Sequence, residues 1–166
     1  HTLADARRYA AEQLRERVRE ATGVDFAGYP TSYFIDQARY TMFPNFHPFI
    51  GEASPRWHKI TPLGRNPGHC RMEIRSLLPI PPSGEIPRDT PVYHVELGQR
   101  ISPSFPQLAQ AAYLIDQDLE NLSALQKGMV AASANAGWAV LSDYHESMIR
   151  RFHEIYDGLL GLEAED

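Results

Sequence analysis

The chain holds one cysteine, Cys70. An internal disulfide is therefore impossible, a disulfide-stapled scaffold is excluded, and a reducing compartment is expected. No apolar run approaches the roughly 18 residues that a membrane-spanning helix needs. A basic excess is also lacking: 16 Lys and Arg stand against 21 Asp and Glu, giving a net charge of −5, which disfavours a nucleic-acid partner. There is no glycine-rich phosphate loop and no GxSxG elbow, so nothing suggests a nucleotide or a serine hydrolase. The seven histidines (1, 47, 58, 69, 94, 145 and 153) form no pair at i, i+3 to i+5, the spacing that marks a metal site on one element.

What is present fits a single domain. The 166 residues are 43% apolar and 22% charged, ordinary values for a globular chain able to bury a core. The 13 prolines and 11 glycines, most of them between Pro30 and Pro106, are too many for a simple helical bundle. The chain begins at His1 and reads as helix within a few residues, so it is expected to be a piece of a longer protein.

Residues 2–22 are rich in strong helix formers, with Thr2 as cap, Gly23 as stop and a thin apolar stripe of Leu3, Ala6, Ala10, Leu14, Val18 and Ala21. The near balance of arginines and acids along this rod fits a solvated surface helix better than a basic partner-binding one. Thr31 or Ser32 caps a short helix through Gln37. Arg39–Phe43 reads as a strand, Phe46–Ile50 as an apolar stretch closed by Gly51, and Arg56–Leu63 as a strand. A turn at 64–68 (GRNPG) leads into the alternating segment His69–Leu78, which sets Cys70, Met72 and Ile74 on one face. Cys70, with no CxxC partner, is expected to be buried there. A proline-rich loop follows, and Val92–Leu97 is a further candidate strand. Phe105–Val130 reads as a long helix with Pro106 in its first turn, and Ser142 as the cap of a last helix ending near Gly161. The fold class expected is α+β, an antiparallel sheet with helices over one face.

One residue of the long helix stands out. At about 100° per residue, Asp118 sits at the centre of an apolar arc formed by Ala111, Leu114, Leu122, Leu125 and Met129, while Asp116, Glu120, Ser123 and Lys127 lie opposite. Asp116 and Glu120 are expected on the wet face and Asp118 inward. A bare carboxylate among apolar groups costs several kcal/mol, so Asp118 must be bonded to a buried polar group, protonated, or bound to a metal. A calcium loop counted from Asp116 is rejected, because Asn121 and Lys127 occupy its glycine and glutamate positions. His47, set between Phe46 and Pro48-Phe49, could line an aromatic pocket.

Two stretches together resemble one family. Residues 40–79 (YTMFPNFHPFIGEASPRWHKITPLGRNPGHCRMEIRSLLP) are similar to the core sheet of the catalytic domain in the large, alpha subunit of Rieske-type aromatic-ring-hydroxylating oxygenases. Residues 116–129 (DQDLENLSALQKGM) resemble the helix that follows, with Asp118, Asn121 and Gln126-Lys127-Gly128 at the family's positions, and residues 145–160 resemble its C-terminal helix. The resemblance spans roughly residues 3–161 and implies an incomplete helix-grip, START-like fold, a sheet wrapped on a long helix.

It further implies that Asp118 is the carboxylate of a two-histidine, one-carboxylate site for mononuclear Fe(II). Leu114, Leu108, Phe46 and His47 would then contact an aromatic substrate. The family's two iron-binding histidines and its [2Fe–2S] Rieske cluster lie upstream of the residues matched here. The chain would be the C-terminal portion of the catalytic domain, inactive alone. The intact protein would insert oxygen from O2 into an aromatic ring, with electrons from a ferredoxin or reductase. A homotrimer or alpha–beta assembly and a cytoplasmic location, without nucleic acid or membrane, complete that expectation. The competing readings are a non-enzymatic helix-grip domain holding an apolar ligand and a plain oligomerisation domain.

Overall fold

Thr2 opens the first helix as its sequence predicts. Its hydroxyl accepts the Asp5 N–H at 3.2 Å while the Asp5 carboxylate accepts the Thr2 N–H at 2.9 Å, so two donors at the helix start are satisfied reciprocally. The computed structural model describes residues 2–51, 55–86, 90–105, 108, 110–135 and 140–162. They fall in two units, one up to His94 and one from Val95 onward.

In the first unit, helix α1 (Leu3–Thr22) ends at Gly23, whose left-handed backbone (φ 71°) returns its N–H to the Arg19 carbonyl. Of the expected stripe only Leu14 and Val18 pack inward. Ala11 is the buried alanine, and these residues meet Phe26 and Phe34 in the core. Arg15 lays its guanidinium 5.0 Å from the Phe34 ring centre, and Arg7 reaches Asp36 at 2.8 Å. Helix α2 (Thr31–Ile35) stops two residues before the expected end, because Asp36 is extended and Gln37 already belongs to the sheet.

The sheet is antiparallel in the order β1 (Gln37–Arg39), β2 (Phe46–Gly51), β3 (Arg56–Pro62) and β4 (Cys70–Ser76). The first strand thus lies earlier than expected from Arg39–Phe43. Beyond Arg39 the chain keeps only looser ties, Tyr40 N–H to the Pro48 carbonyl and a bridge between Met42 and Phe46, before turning at Pro44. Gly51 passes so close to Asp36 that a Cβ there would lie 2.1 Å from its carbonyl oxygen. The Val92–Leu97 stretch forms no strand, which corrects the sequence expectation, and His94 sits on irregular chain. Cys70, expected buried, is exposed where β4 begins opposite Pro62; alternation fixed its face, not what covers that end.

In the second unit, α3 runs from Gln110 to Ala134, later at both ends than expected; Pro106 lies outside the described residues. Helix α4 (Ser147–Leu160) starts five residues after the expected cap Ser142, whose N–H instead donates to the Glu146 carboxylate at 2.6 Å. It ends at Gly161 with φ 68°. The architecture is α+β with a four-stranded antiparallel sheet. Among the described residues no helix is long and apolar enough to cross a membrane.

Candidate functional site

The three acids of α3 separate by helical geometry, but the face that is covered is the opposite of the one expected. Asp116 is buried, at 6% exposure, and Asp118 is exposed. The segment Arg100–Ser102 lies over the Asp116 side. The Ile101 N–H donates to one Asp116 oxygen at 2.5 Å and the Ser102 N–H to the other at 3.2 Å. One turn further along, Glu120 accepts from Arg100 at 3.1 Å. Ile101, Ala112 and Ile115 of this unit are also buried.

Burial alone would raise the Asp116 carboxyl. Hydrogen bonds from the Ser102 hydroxyl and from the Ile101 and Ser102 N–H groups, with the nearby Arg100 charge, outweigh it and hold the group below the ordinary carboxylate value. This is why an acid expected on the wet face can be buried: the strap brings the donors that its charge needs. Periodicity identifies residues that share a face; it does not say what covers that face.

The arc centred on Asp118 keeps its apolar composition and is left open. Leu114 is 56% exposed, Leu122 52%, Leu125 60% and Met129 61%. Asp118 carries no hydrogen bond or ion pair among the described residues. The inward placement expected from the wheel is corrected accordingly. Leu108 is half-buried in the turn before α3, its N–H on the Phe105 carbonyl at 3.1 Å. Leu108, Leu114 and Asp118 therefore belong to the second unit, and Phe46 and His47 to the first.

Within the first unit, Phe46 and His47 are neighbours on β2 and so point to opposite faces. His47 is paired with His58, and His58 in turn with Ile74. Its Nδ1 lies 3.3 Å from the Thr41 hydroxyl. The same face carries Phe49, whose ring centre is 4.5 Å from that of His58, and the cross-strand pair Ile60 and Met72. Phe46 stands on the other face, 5.5 Å from the Trp57 ring, which Arg75 covers at 5.2 Å. A shallow depression in this unit, bounded by Tyr33, Asp36, Ala38 and Ile50, includes none of the expected site residues.

Asp118 supplies one carboxylate. Among the described residues no three His, Cys, Asp or Glu side chains gather around one point, so these residues do not by themselves complete an iron site. The residue that sequence reasoning missed is Asp116. Its signal was faint: one apolar residue, Ile101, inside the polar run Gly98–Ser104, upstream of two acids spaced four apart. No protein-family profile, no curated protein and no solved structure matches the chain.

Proposed function

We propose that this chain is the C-terminal part of the catalytic domain of a Rieske-type aromatic-ring-hydroxylating oxygenase. The observation that supports it best is the division of labour among three acids on one helix. Asp116 and Glu120 are engaged by Ile101, Ser102 and Arg100, while Asp118 is unengaged among the described residues at the middle of an open apolar arc. An unengaged carboxylate has its oxygens available to a metal, and the leucines on the same side suit an apolar substrate.

In this reading the fold is an incomplete helix-grip, START-like one, a sheet wrapped on a long helix. Two histidines from the upstream part of the intact protein join Asp118 on Fe(II), and a [2Fe–2S] cluster, also upstream, is fed by a ferredoxin or reductase. Iron so held supplies O2 activation. Leu114, Leu108, Phe46 and His47 are the candidates for contact with a flat aromatic molecule, which burial would hold. The intact protein works in the cytoplasm as a homotrimer or alpha–beta assembly.

The test uses the full-length protein. Asp118→Ala should remove the mononuclear iron, measured by metal analysis, and abolish ring hydroxylation while the circular dichroism spectrum is retained. Full iron and full activity in that variant would overturn the assignment. The apolar stretch of Ile60, Met72 and Ile74 on the sheet also suits a non-enzymatic carrier. In that case the wild type binds no iron, and Asp118→Ala leaves affinity for an apolar ligand intact.

A further inference from the structure

We infer that the His47 face of the sheet binds an aromatic carboxylic acid, its carboxylate on Arg39 and Arg56 and its ring on the apolar stretch beyond them; this rests on the assignment of His47 to the pocket given above, not on iron. The strand register orders this face into rows. Arg39 of β1 and Arg56 of β3 are both partners of Phe49 on β2, so the three side chains stand in one row on one side of the sheet. The two guanidiniums lie 5.5 and 5.4 Å from the centre of the Phe49 ring. Two residues along the strands, about 7 Å away, His47, His58 and Ile74 form the next row. Ile60 and Met72 follow one step further. Polarity is therefore graded across the face, with two cations at one end and hydrocarbon at the other.

No Asp or Glu is among the paired residues of this face. Glu73, opposite Lys59, points to the other side. The register sets Phe49 and Ser76 beside Arg56, and Phe49 beside Arg39. Arg39 gives its Nε–H to the Gln37 side-chain oxygen at 2.7 Å, a neutral acceptor, and meets no carboxylate among the described residues. An aromatic ring attracts a guanidinium's charge without accepting its five N–H donors, so an arginine held this way is positioned and still able to donate. A carboxylate matches that planar fork. A bare anion would leave the Ile60, Met72 and Ile74 side chains unused, and a plain hydrocarbon would leave the arginines unused. An arene carrying one carboxylate uses both ends, by charge-assisted hydrogen bonds and by burial.

The experiment measures binding of 2-naphthoate, naphthalene and acetate to the full-length protein by equilibrium dialysis, with iron measured alongside. It compares wild type, Arg39→Gln, Arg56→Gln and the control Lys59→Gln, whose cation stands on the other face. Wild type should bind naphthoate about tenfold more tightly than naphthalene, the gain expected of a hydrogen bond between charged groups, and acetate far more weakly than naphthoate. Each arginine variant should lose most of that preference and keep its naphthalene affinity; Lys59→Gln should keep both. Equal affinity for naphthoate and naphthalene, acetate bound as tightly as naphthoate, or no naphthoate binding overturns the inference on wild type alone, whether or not a variant folds. A preference that survives both arginine variants, or falls equally in Lys59→Gln, overturns it as well. A protein that prefers naphthoate through its arginines but holds no iron overturns the oxygenase reading alone. One that holds iron through Asp118 without that preference overturns this inference alone.

Discussion

Asp116 and Asp118 lie two residues apart on α3 and face opposite ways, the first gripped by the Ile101 and Ser102 N–H groups and the second exposed. Similar carboxylates about half a turn apart thus carry very different stability roles. Asp116→Ala leaves two backbone donors without their acceptor in a buried position and should lower the melting temperature by several degrees. Asp118→Ala removes an exposed charge and should change stability by no more than about 0.5 kcal/mol. Thermal unfolding of both variants, compared under one buffer, checks this. Equal losses would contradict the assignment of faces.

A second contrast concerns Gly51. Its φ of 114° is a conformation that side chains rarely adopt, and a Cβ would sit 2.1 Å from the Asp36 carbonyl oxygen. Gly51→Ala must therefore push apart the link between α2 and the β1–β2 pair. A cost of about 2 kcal/mol or more is expected, read as a lower urea midpoint. Gly28→Ala is the control. A Cβ there meets nothing within 4 Å and φ is not in the left-handed range, so its effect should be small.

Much of this fold was legible because the signals were local. Thr2 and Gly23 delimit α1, GRNPG turns β3 into β4, and Gly161 stops α4, each through the short-range chemistry of one or two residues. The expectations that failed depended on distant partners. Val92–Leu97 alternates like a strand but finds no strand to pair with among the described residues. Cys70 keeps its expected face but lies where the sheet end is uncovered. Asp116 was misread because its burial depends on Ile101 and Ser102, fifteen and fourteen residues earlier in the chain. The wheel grouped the residues of α3 correctly and could not choose which group meets the strap.

The capping box at the start of α1 carries a pH dependence with a definite sign. The Thr2 N–H, and next the Thr2 hydroxyl, hold the Asp5 carboxyl below its ordinary value. A group whose folded value is lowered stabilises the fold above its unfolded pKa, near 3.8, and loses that contribution as pH falls through the lower folded value. Helicity at the first turn of α1 should therefore exceed that of Asp5→Asn at neutral pH. The difference should close on acidification below about pH 4. Amide exchange or chemical shifts of residues 5–8 report it. A gap that persists at low pH would show that the carboxylate is not the source.

The adjacency of Phe46 and His47 gives the sharpest test of the proposed pocket. Neighbours on a strand cannot serve one face, so at most one of them touches a substrate held on a given side of the sheet. The His47 side presents Phe49, His58, Ile60, Met72 and Ile74, with Arg39 and Arg56 laid over the Phe49 ring at 5.5 and 5.4 Å. The Phe46 side presents Trp57 and charged neighbours, Lys59, Glu73 and Arg75. On the first, the arginines stand at the Phe49 end, and the cross-strand pairs Ile60–Met72 and His58–Ile74 leave an apolar stretch where a flat hydrocarbon gains by burial; on the second, Lys59 and Glu73 pair in the middle of the sheet and would be desolvated. His47→Ala in the full-length protein should therefore raise the KM for an aromatic substrate and redistribute the hydroxylated products. Phe46→Ala should leave the product ratio alone and act through its lost Trp57 contact, lowering stability by about 1 kcal/mol beyond the burial lost. Product analysis by chromatography alongside urea unfolding separates the two effects. If Phe46→Ala is the variant that shifts the products, the substrate lies on the Trp57 face and the assignment of His47 to the pocket falls.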